Sequence, residues 1–457
     1  MNPTQPVRLI ALYFPQFHPI PENDRWWGRG FTDWTNVRKA EPQFPGHYQP
    51  RVPLDGRYYD QSQLETIRWQ VDLAKAHGVH GFCHYHYWFD GKQLLEAPTN
   101  AMLDHPDIDF PFCLAWANET WSRRWDGREE DILIAQTHVP EVERWEKHFQ
   151  YLIRAWTDPR AIRIDGRPVF MIYRPHLVAE LGRMLDYWTA RAKEYGLTGL
   201  FFVAMRQYEY PKPELLKHFH GSMQFQPFEA MASPDYRPLQ PKPDAPEPAP
   251  VQQVPDVSRQ PPVTEPGPVR LLWRRLPMPL RHSIGVLKWR TGQLLLVWPR
   301  KAFSMLSQSL RDRLSAWSAR RAPKLVIWDY DSVWNQIIKV ENDYGLVTFP
   351  GAFVDWDNTP RYGKRARLFR GASPERFRYW FTKLVAATAT RPPDERYIIL
   401  NAWNEWAEGT YLEPDERYGL QHLEIVRDVL ARQGMPDGAI ATGETPAHGA
   451  RTSAPGP

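Results

Sequence analysis

The sequence predicts an α/β chain folded as a (β/α)8 TIM barrel, with a Pro-rich, basic insertion between strands 6 and 7. Three observations predict it. Eight short apolar runs alternate with stretches of helical period, the pattern of a parallel sheet whose connections are helices. Without the insertion roughly 340 residues remain, enough for a closed barrel with additions. The first apolar run leads into Tyr13-Phe14-Pro15-Gln16-Phe17-His18. An open doubly wound sheet usually places a glycine-rich phosphate loop there instead.

Residues 9–14 read as the first strand. After a long polar and aromatic loop, Leu64, Ile67, Val71 and Ala74 mark one face of a helix, which Gly78 closes as its C′ residue. Residues 79–88 and 110–116 are the second and third strands. Trp145, Phe149, Leu152 and Trp156 mark the next helix face, and 169–173 is the fourth strand. A helix through Met184, Leu185, Trp188 and Ala192 ends near Gly196. Residues 200–204 are the fifth strand and 222–225 a weak sixth. Residues 347–354 are the seventh. Ser373, Pro374 and Glu375 open a helix as N-cap, N1 proline and first-turn acid. Phe377, Trp380, Phe381 and Leu384 form its apolar face, and 397–403 is the eighth strand.

The pattern breaks once. Residues 234–268 hold 12 prolines in 35 positions, which excludes a helix or a central strand. Residues 270–321 carry 12 Lys or Arg against one acid, Asp312, a local net of +11 in a chain whose total is +4. Trp273, Trp289, Trp298 and Trp317 are interleaved with that charge. The expected organisation is barrel, first part, 1–233; linker and basic insertion, 234–321; barrel, second part, 322–433; and a disordered tail rich in Gly, Ala, Pro and Thr, 434–457.

Composition narrows the function. A net charge of +4 over 457 residues is no nucleic-acid signature. The two cysteines, Cys83 and Cys113, lie in apolar strand runs and read as reduced core residues. The polar N-terminus lacks the basic and apolar regions of a secretory signal. No apolar run reaches the ~20 residues of a membrane-spanning helix, so the expected compartment is the cytoplasm. The 21 Trp residues suit stacking against sugar rings as well as core packing.

Catalytic groups of such barrels project from the C-terminal ends of the strands. The exits here form a rim of acids, amides, imidazoles and indoles, without a Lys/Arg phosphate clamp or a serine-nucleophile elbow. That rim suits glycosidic chemistry, in which one carboxyl protonates the leaving oxygen and another acts as base or nucleophile. The sharpest signal is Asn404-Glu405-Trp406-Ala407-Glu408-Gly409-Thr410 after strand 8, where Glu405 and Glu408 can turn into one cavity. These two are the expected catalytic residues. The expected substrate-binding residues are Gln16, His18 and Trp34 after strand 1; His84, His86 and Trp88 on strand 2; Asn118 and Glu119 after strand 3; Tyr173 after strand 4; Asp355 and Trp356 after strand 7; and Asn404 and Trp406 beside the acids. Trp26, Trp27 and Trp121 are further platform candidates.

The chain resembles the WbsX group, which is related to glycoside hydrolase family 99, the endo-α-mannosidases. The resemblance rests on Tyr13-Phe14-Pro15-Gln16-Phe17-His18, Trp27-Gly28-Arg29-Gly30-Phe31-Thr32-Asp33-Trp34, Gly81-Phe82-Cys83-His84-Tyr85-His86-Tyr87-Trp88, Trp116-Ala117-Asn118-Glu119 and the Asn404–Thr410 motif, in consistent order from about residue 8 to 420. It implies a (β/α)8 barrel and retaining chemistry with no metal or other cofactor. By position, Glu405 is the base that acts on the substrate's own 2-hydroxyl to give a 1,2-anhydro sugar, and Glu408 protonates the leaving oxygen. It also implies an oligosaccharide substrate in surface-polysaccharide or O-antigen metabolism, with hydrolysis and transfer both open, and membrane contact of the basic segment 270–321 would suit a lipid-linked glycan.

Two other readings compete. His84 and His86, two apart on a strand, face one side and have a spacing found in metal-dependent barrel hydrolases, where Asp355 or Asp357 could complete the ligand set. A non-catalytic glycan-binding protein is the other. The basic insertion 270–321 suits peripheral contact with the inner membrane, a solvated face or partner docking.

Overall fold

The structure, a computed structural model, describes residues 6–123, 128–207, 213–232, 325–339 and 345–433. Nine parallel strands form its central ring. They are β1 (Arg8–Tyr13), β2 (Val79–Phe89), β3 (Phe112–Trp116), β4 (Arg167–Ile172), β5 (Phe201–Arg206), β6 (Gly221–Gln224), β7 (Val347–Phe349), β8 (Gly351–Phe353) and β9 (Tyr397–Asn401). β7 and β8 are the two halves of the predicted seventh strand, parted at Pro350, which has no N–H to give a ladder. β7 pairs with β6, β8 pairs with β9, and β9 pairs with β1, so the ring closes as a barrel.

Helices α1 (Leu64–Ala76), α2 (Ala97–Asp104), α3 (Val142–Thr157), α4 (Leu181–Glu194), α5 (Tyr330–Lys339), α6 (Pro374–Ala389) and α7 (Gln421–Ala431) accompany the ring. Their ends follow local chemistry. Gly78 and Gly196 take φ of +78° and +82° just beyond α1 and α4, a conformation that lacks a Cβ penalty only for glycine. The Ser373 side chain accepts the Arg376 N–H at the start of α6.

Alternation along each strand separates two apolar cores. Ile10, Leu12, Cys83, Cys113, Ala115, Val203, Met205 and Ile399 fill the barrel interior. Leu9, Ala11, Phe82, Leu114, Phe170 and Phe202 pack outward with helix residues such as Val71, Phe149, Leu152 and Trp188. Both strand faces are therefore buried, as expected for a parallel sheet under helices. Cys83 and Cys113 are register neighbours on β2 and β3, both buried and free.

Several elements were not predicted, among them the helices α2, α5 and α7 and one small sheet. Val326–Asp329 pairs in parallel with Arg367–Arg370 as a separate two-stranded sheet. The expected linker and insertion (234–321) and the tail (434–457) lie outside the described residues. Among the described residues no helix is long and apolar enough to cross a membrane.

Candidate active site

The segment after β9 is tightly built. Asn404–Glu405 pairs antiparallel with Thr410–Tyr411 across the single turn Trp406–Glu408. Gly409 has φ +64°, and a Cβ there would lie 2.8 Å from the backbone nitrogen of Asp357. Glycine is thus the residue that fits. The Asp357 N–H in turn donates to the Glu408 carbonyl at 2.7 Å. The Asn404 side chain clamps Phe14, accepting its N–H at 2.8 Å and donating to its carbonyl at 2.9 Å. The loop is thus held from Phe14 at one end and from Asp357 at the other, which gives the two glutamates defined directions.

Those directions meet at one guanidinium. Arg361, on the short helix Thr359–Tyr362, places Nη1 2.6 Å from Glu408 Oε1 and Nη2 2.6 Å from Glu405 Oε1. Nη2 also lies 2.8 Å from Asp33 Oδ2. The Arg361 side chain is 5% exposed, Glu405 10% and Glu408 21%, so solvent reaches the group from the Glu408 side. Burial disfavours the Arg361 charge, but Asp33, Glu405 and Glu408 outweigh it and hold the group charged well above its ordinary range. Burial pushes the Glu405 carboxyl well above the usual carboxylate range. Arg361 opposes that, and the Glu408 and Asp33 charges add to it.

Tyr85 and Tyr87, on the inward face of β2, couple electrostatically to Glu405. Burial first, then neighbouring tyrosine and glutamate charges, keep both phenols protonated well above 10. Tyr173 stands 6.3 Å from Tyr85, and Trp121 stands 5.1 Å from Tyr87 and 5.9 Å from Trp26, ring to ring. An aromatic path thus runs outward from the acids to the barrel rim.

Beside the glutamate loop lies a further buried carboxyl, Glu413. It accepts from Gln70 Nε2 at 2.6 Å, Trp406 Nε1 at 2.6 Å and the Tyr59 hydroxyl at 2.8 Å. Burial pushes it up to about 7, and these donors oppose the shift only in part. The folded value lies above the unfolded one, so folding takes up a proton between them. Stability from this group is full below the unfolded pKa and is lost as pH rises through about 7. The loss between pH 4.5 and 8 is about 3 kcal/mol. Glu413→Gln should therefore flatten the fall of unfolding free energy over that range. Denaturant unfolding at stepped pH checks this, and a slope equal to wild type would count against it.

Comparison with known proteins decides the family. The model described as "Glycosyltransferase WbsX" matches residues 9–426. The chain belongs to the WbsX glycosyltransferase family. Curated relatives named "Uncharacterized protein WxcX", from two strains of Xanthomonas campestris pv. campestris, are each 35% identical over 430 residues, covering 94% of this chain and 50% of the relative. This WbsX chain spans about half the length of the curated relatives it matches. Among solved structures it is similar to the GH99 endo-alpha-mannosidase from Bacteroides thetaiotaomicron, at 12% identity, TM-score 0.46, and 93% and 97% coverage of the two chains. It is similar also to a "Glycoside hydrolase-like protein", at 11% identity, TM-score 0.49, and 93% and 94% coverage. The barrel itself is given by the chain's own strand ring.

The WbsX chain brings some expected site residues together and moves others elsewhere. Glu405 and Glu408 do converge, though on Arg361 and beside tyrosines, not in a pocket walled by indoles. Gln16, through its carbonyl, accepts the N–H of Asp33, the partner of Arg361, at 2.9 Å. Its side-chain amide has no hydrogen bond among the described residues. His18 is buried, and burial pushes its pKa down. Tyr173 faces the inner barrel, and Glu119 ion-pairs with Arg174 at 2.8 Å, both partly exposed.

The others are structural or face away. His84, His86 and Trp88 point outward. His84 Nδ1 is 3.3 Å from Thr99 Oγ1 in α2, His86 Nε2 is 2.8 Å from His148 Nε2 in α3, and Trp88 stacks on His148 at 4.7 Å. Asn118 clamps the Arg174 backbone at 2.7 and 2.9 Å. Trp34 donates to the Tyr59 carbonyl at 2.8 Å, Trp406 is fully buried, and Trp356 packs edge-on to Phe228 in the outer core. Asp355 pairs with Arg51 at 2.6 Å, while Asp357 accepts from Gln49 Nε2 at 2.6 Å and meets His47 Nε2 at 2.8 Å. The ligand set of the metal reading is therefore dispersed, and no group of three or more His, Cys, Asp or Glu suited to a metal forms among the described residues.

Sequence reasoning missed Arg361, Asp33, Tyr85 and Tyr87. The tyrosines share the quoted strand-2 motif with the histidines and differ only in parity. Asp33 stands beside Trp34 in the first exit. Arg361 lies in an ordinary Asn-Thr-Pro-Arg turn with no distinguishing local signal.

Proposed function

We propose that this chain cleaves or transfers glycosidic linkages with retention of configuration, with Glu405 as base and Glu408 as acid/base partner. Glu405 takes the proton from the sugar's 2-hydroxyl as that oxygen bonds to the anomeric carbon. The anomeric bond to the leaving oxygen breaks, and Glu408 supplies that oxygen's proton. Water or a sugar hydroxyl then opens the 1,2-anhydro ring, giving its proton to Glu408, while Glu405 returns a proton to the 2-oxygen. The observation that carries this reading is the convergence of both carboxyls on one guanidinium at the C-terminal end of the final strand. A carboxyl held well above its ordinary range suits a general base.

The substrate we propose is an oligosaccharide or lipid-linked glycan of surface-polysaccharide or O-antigen metabolism. Residues 270–321, outside the described residues, suit contact with the anionic inner-membrane surface where such a lipid resides. The test is incubation with a panel of mannose-type and O-antigen oligosaccharides, followed by product masses and anomeric configuration. New products of retained configuration are expected. Glycan binding without product, persisting in Glu405→Gln, would establish a binding module instead.

A further inference from the structure

We infer that Arg361, anchored by Asp33, is a positioning residue that orients the Glu405 and Glu408 carboxyls on one planar fork. This rests on the reading above. The fork is fixed from several sides. Asp33 is fully buried, and its second oxygen is occupied by Asn36 Nδ2 at 2.9 Å. The helix that carries Arg361 begins at Thr359, whose N–H donates to Asp357 Oδ1 at 3.0 Å. The Arg361 guanidinium lies 5.4 Å from the Phe14 ring centroid, and Phe14 is the residue that Asn404 clamps. The two amino groups of a guanidinium keep a constant relation, so two carboxyls bound to them cannot turn independently.

The charge count adds a second consequence. Three acids share one cation in a largely buried site, so three ionised carboxylates would leave an unbalanced double negative charge. The arrangement favours retention of one proton. The charged and titratable groups facing Glu405 are Arg361, Glu408, Asp33, Tyr85 and Tyr87, with Glu119 acting on Tyr87. Arg361 alone among them lowers the Glu405 affinity for a proton, and Asp33 competes for Arg361. Removing Arg361 must then raise Glu405 titration, and removing the Asp33 charge must lower it.

The opposed signs make the test. Infrared pH titration of the full chain, without substrate, identifies the Glu405 carboxyl band as the one lost in Glu405→Gln. Arg361→Lys, a point charge that cannot hold both acids, should move the midpoint up by roughly one pH unit or more. Asp33→Asn should move it down by about as much. Midpoints that stay in place, or that move together, overturn the inference. If Arg361→Lys does not fold, Asp33→Asn decides alone, because it keeps the guanidinium. On any glycan that wild type turns over, Arg361→Lys should lower kcat about 100-fold or more with KM little changed. A raised KM at constant kcat would overturn the positioning role. A wild-type chain that turns over no glycan would remove the reaction proposed above, while the infrared result still decides the clamp.

Discussion

Glu405→Gln and Glu408→Gln should each lower kcat by a factor of about 100 to 10,000, the range that a positioned acid or base contributes. Neither change should unfold the chain. Each removes one of three acids that compete for Arg361, so the buried cation keeps two carboxyl partners. Thermal unfolding on the same samples separates lost chemistry from lost structure. The two variants should also differ from one another. A substrate with a good leaving group needs little protonation, so it should restore the first step in Glu408→Gln and not in Glu405→Gln. A 2-deoxy analogue should be inert even with wild type, because the hydroxyl that Glu405 deprotonates is gone. Wild-type turnover in either glutamine variant would remove that residue's assigned role, and turnover of the 2-deoxy analogue would remove the 2-hydroxyl route.

Trp406→Ala should cost about 3–5 kcal/mol of stability, the usual range for truncating a large buried aromatic. Trp406 lies between the two glutamates in sequence and was expected to present its face to a sugar. It is instead fully buried, stacked on Tyr411 with centroids 3.8 Å apart and hydrogen-bonded to Glu413. Trp406→Phe keeps most of the ring but leaves Glu413 with one donor fewer, so it should cost about 1–3 kcal/mol. Denaturant unfolding measures both. A sugar platform would behave in the opposite way, with a raised KM and almost unchanged stability. That pattern would contradict the buried position.

The same contrast explains which parts of the site could be read in advance. The loop bearing Glu405 and Glu408 was legible because its pieces are local. A strand end, a turn and a glycine at positive φ are adjacent in the chain. The error on β2 has a definite cause. Two-residue alternation told that His84 and His86 share a face, and that Tyr85 and Tyr87 share the other. It could not tell which face turns inward, because helices bury the outer one as fully as side chains fill the inner one. Polar residues on the outer face, such as His86 paired with His148, satisfy one another there and imitate a binding site.

The sequence by itself determined the order of the barrel strands and the helices α1, α3, α4 and α6, the C′ glycines, the α6 cap and the position of the paired glutamates. Each depends on periodicity or backbone conformation over a few neighbouring residues. Only the tertiary structure decided that the acids meet Arg361, which is 44 residues before Glu405, and that Arg361 meets Asp33, 328 residues before it. It also turned the β2 tyrosines inward and placed Trp406 beneath the loop. Contacts across such separations arise from barrel closure, and no local pattern encodes which side chain a closing ring will set opposite another.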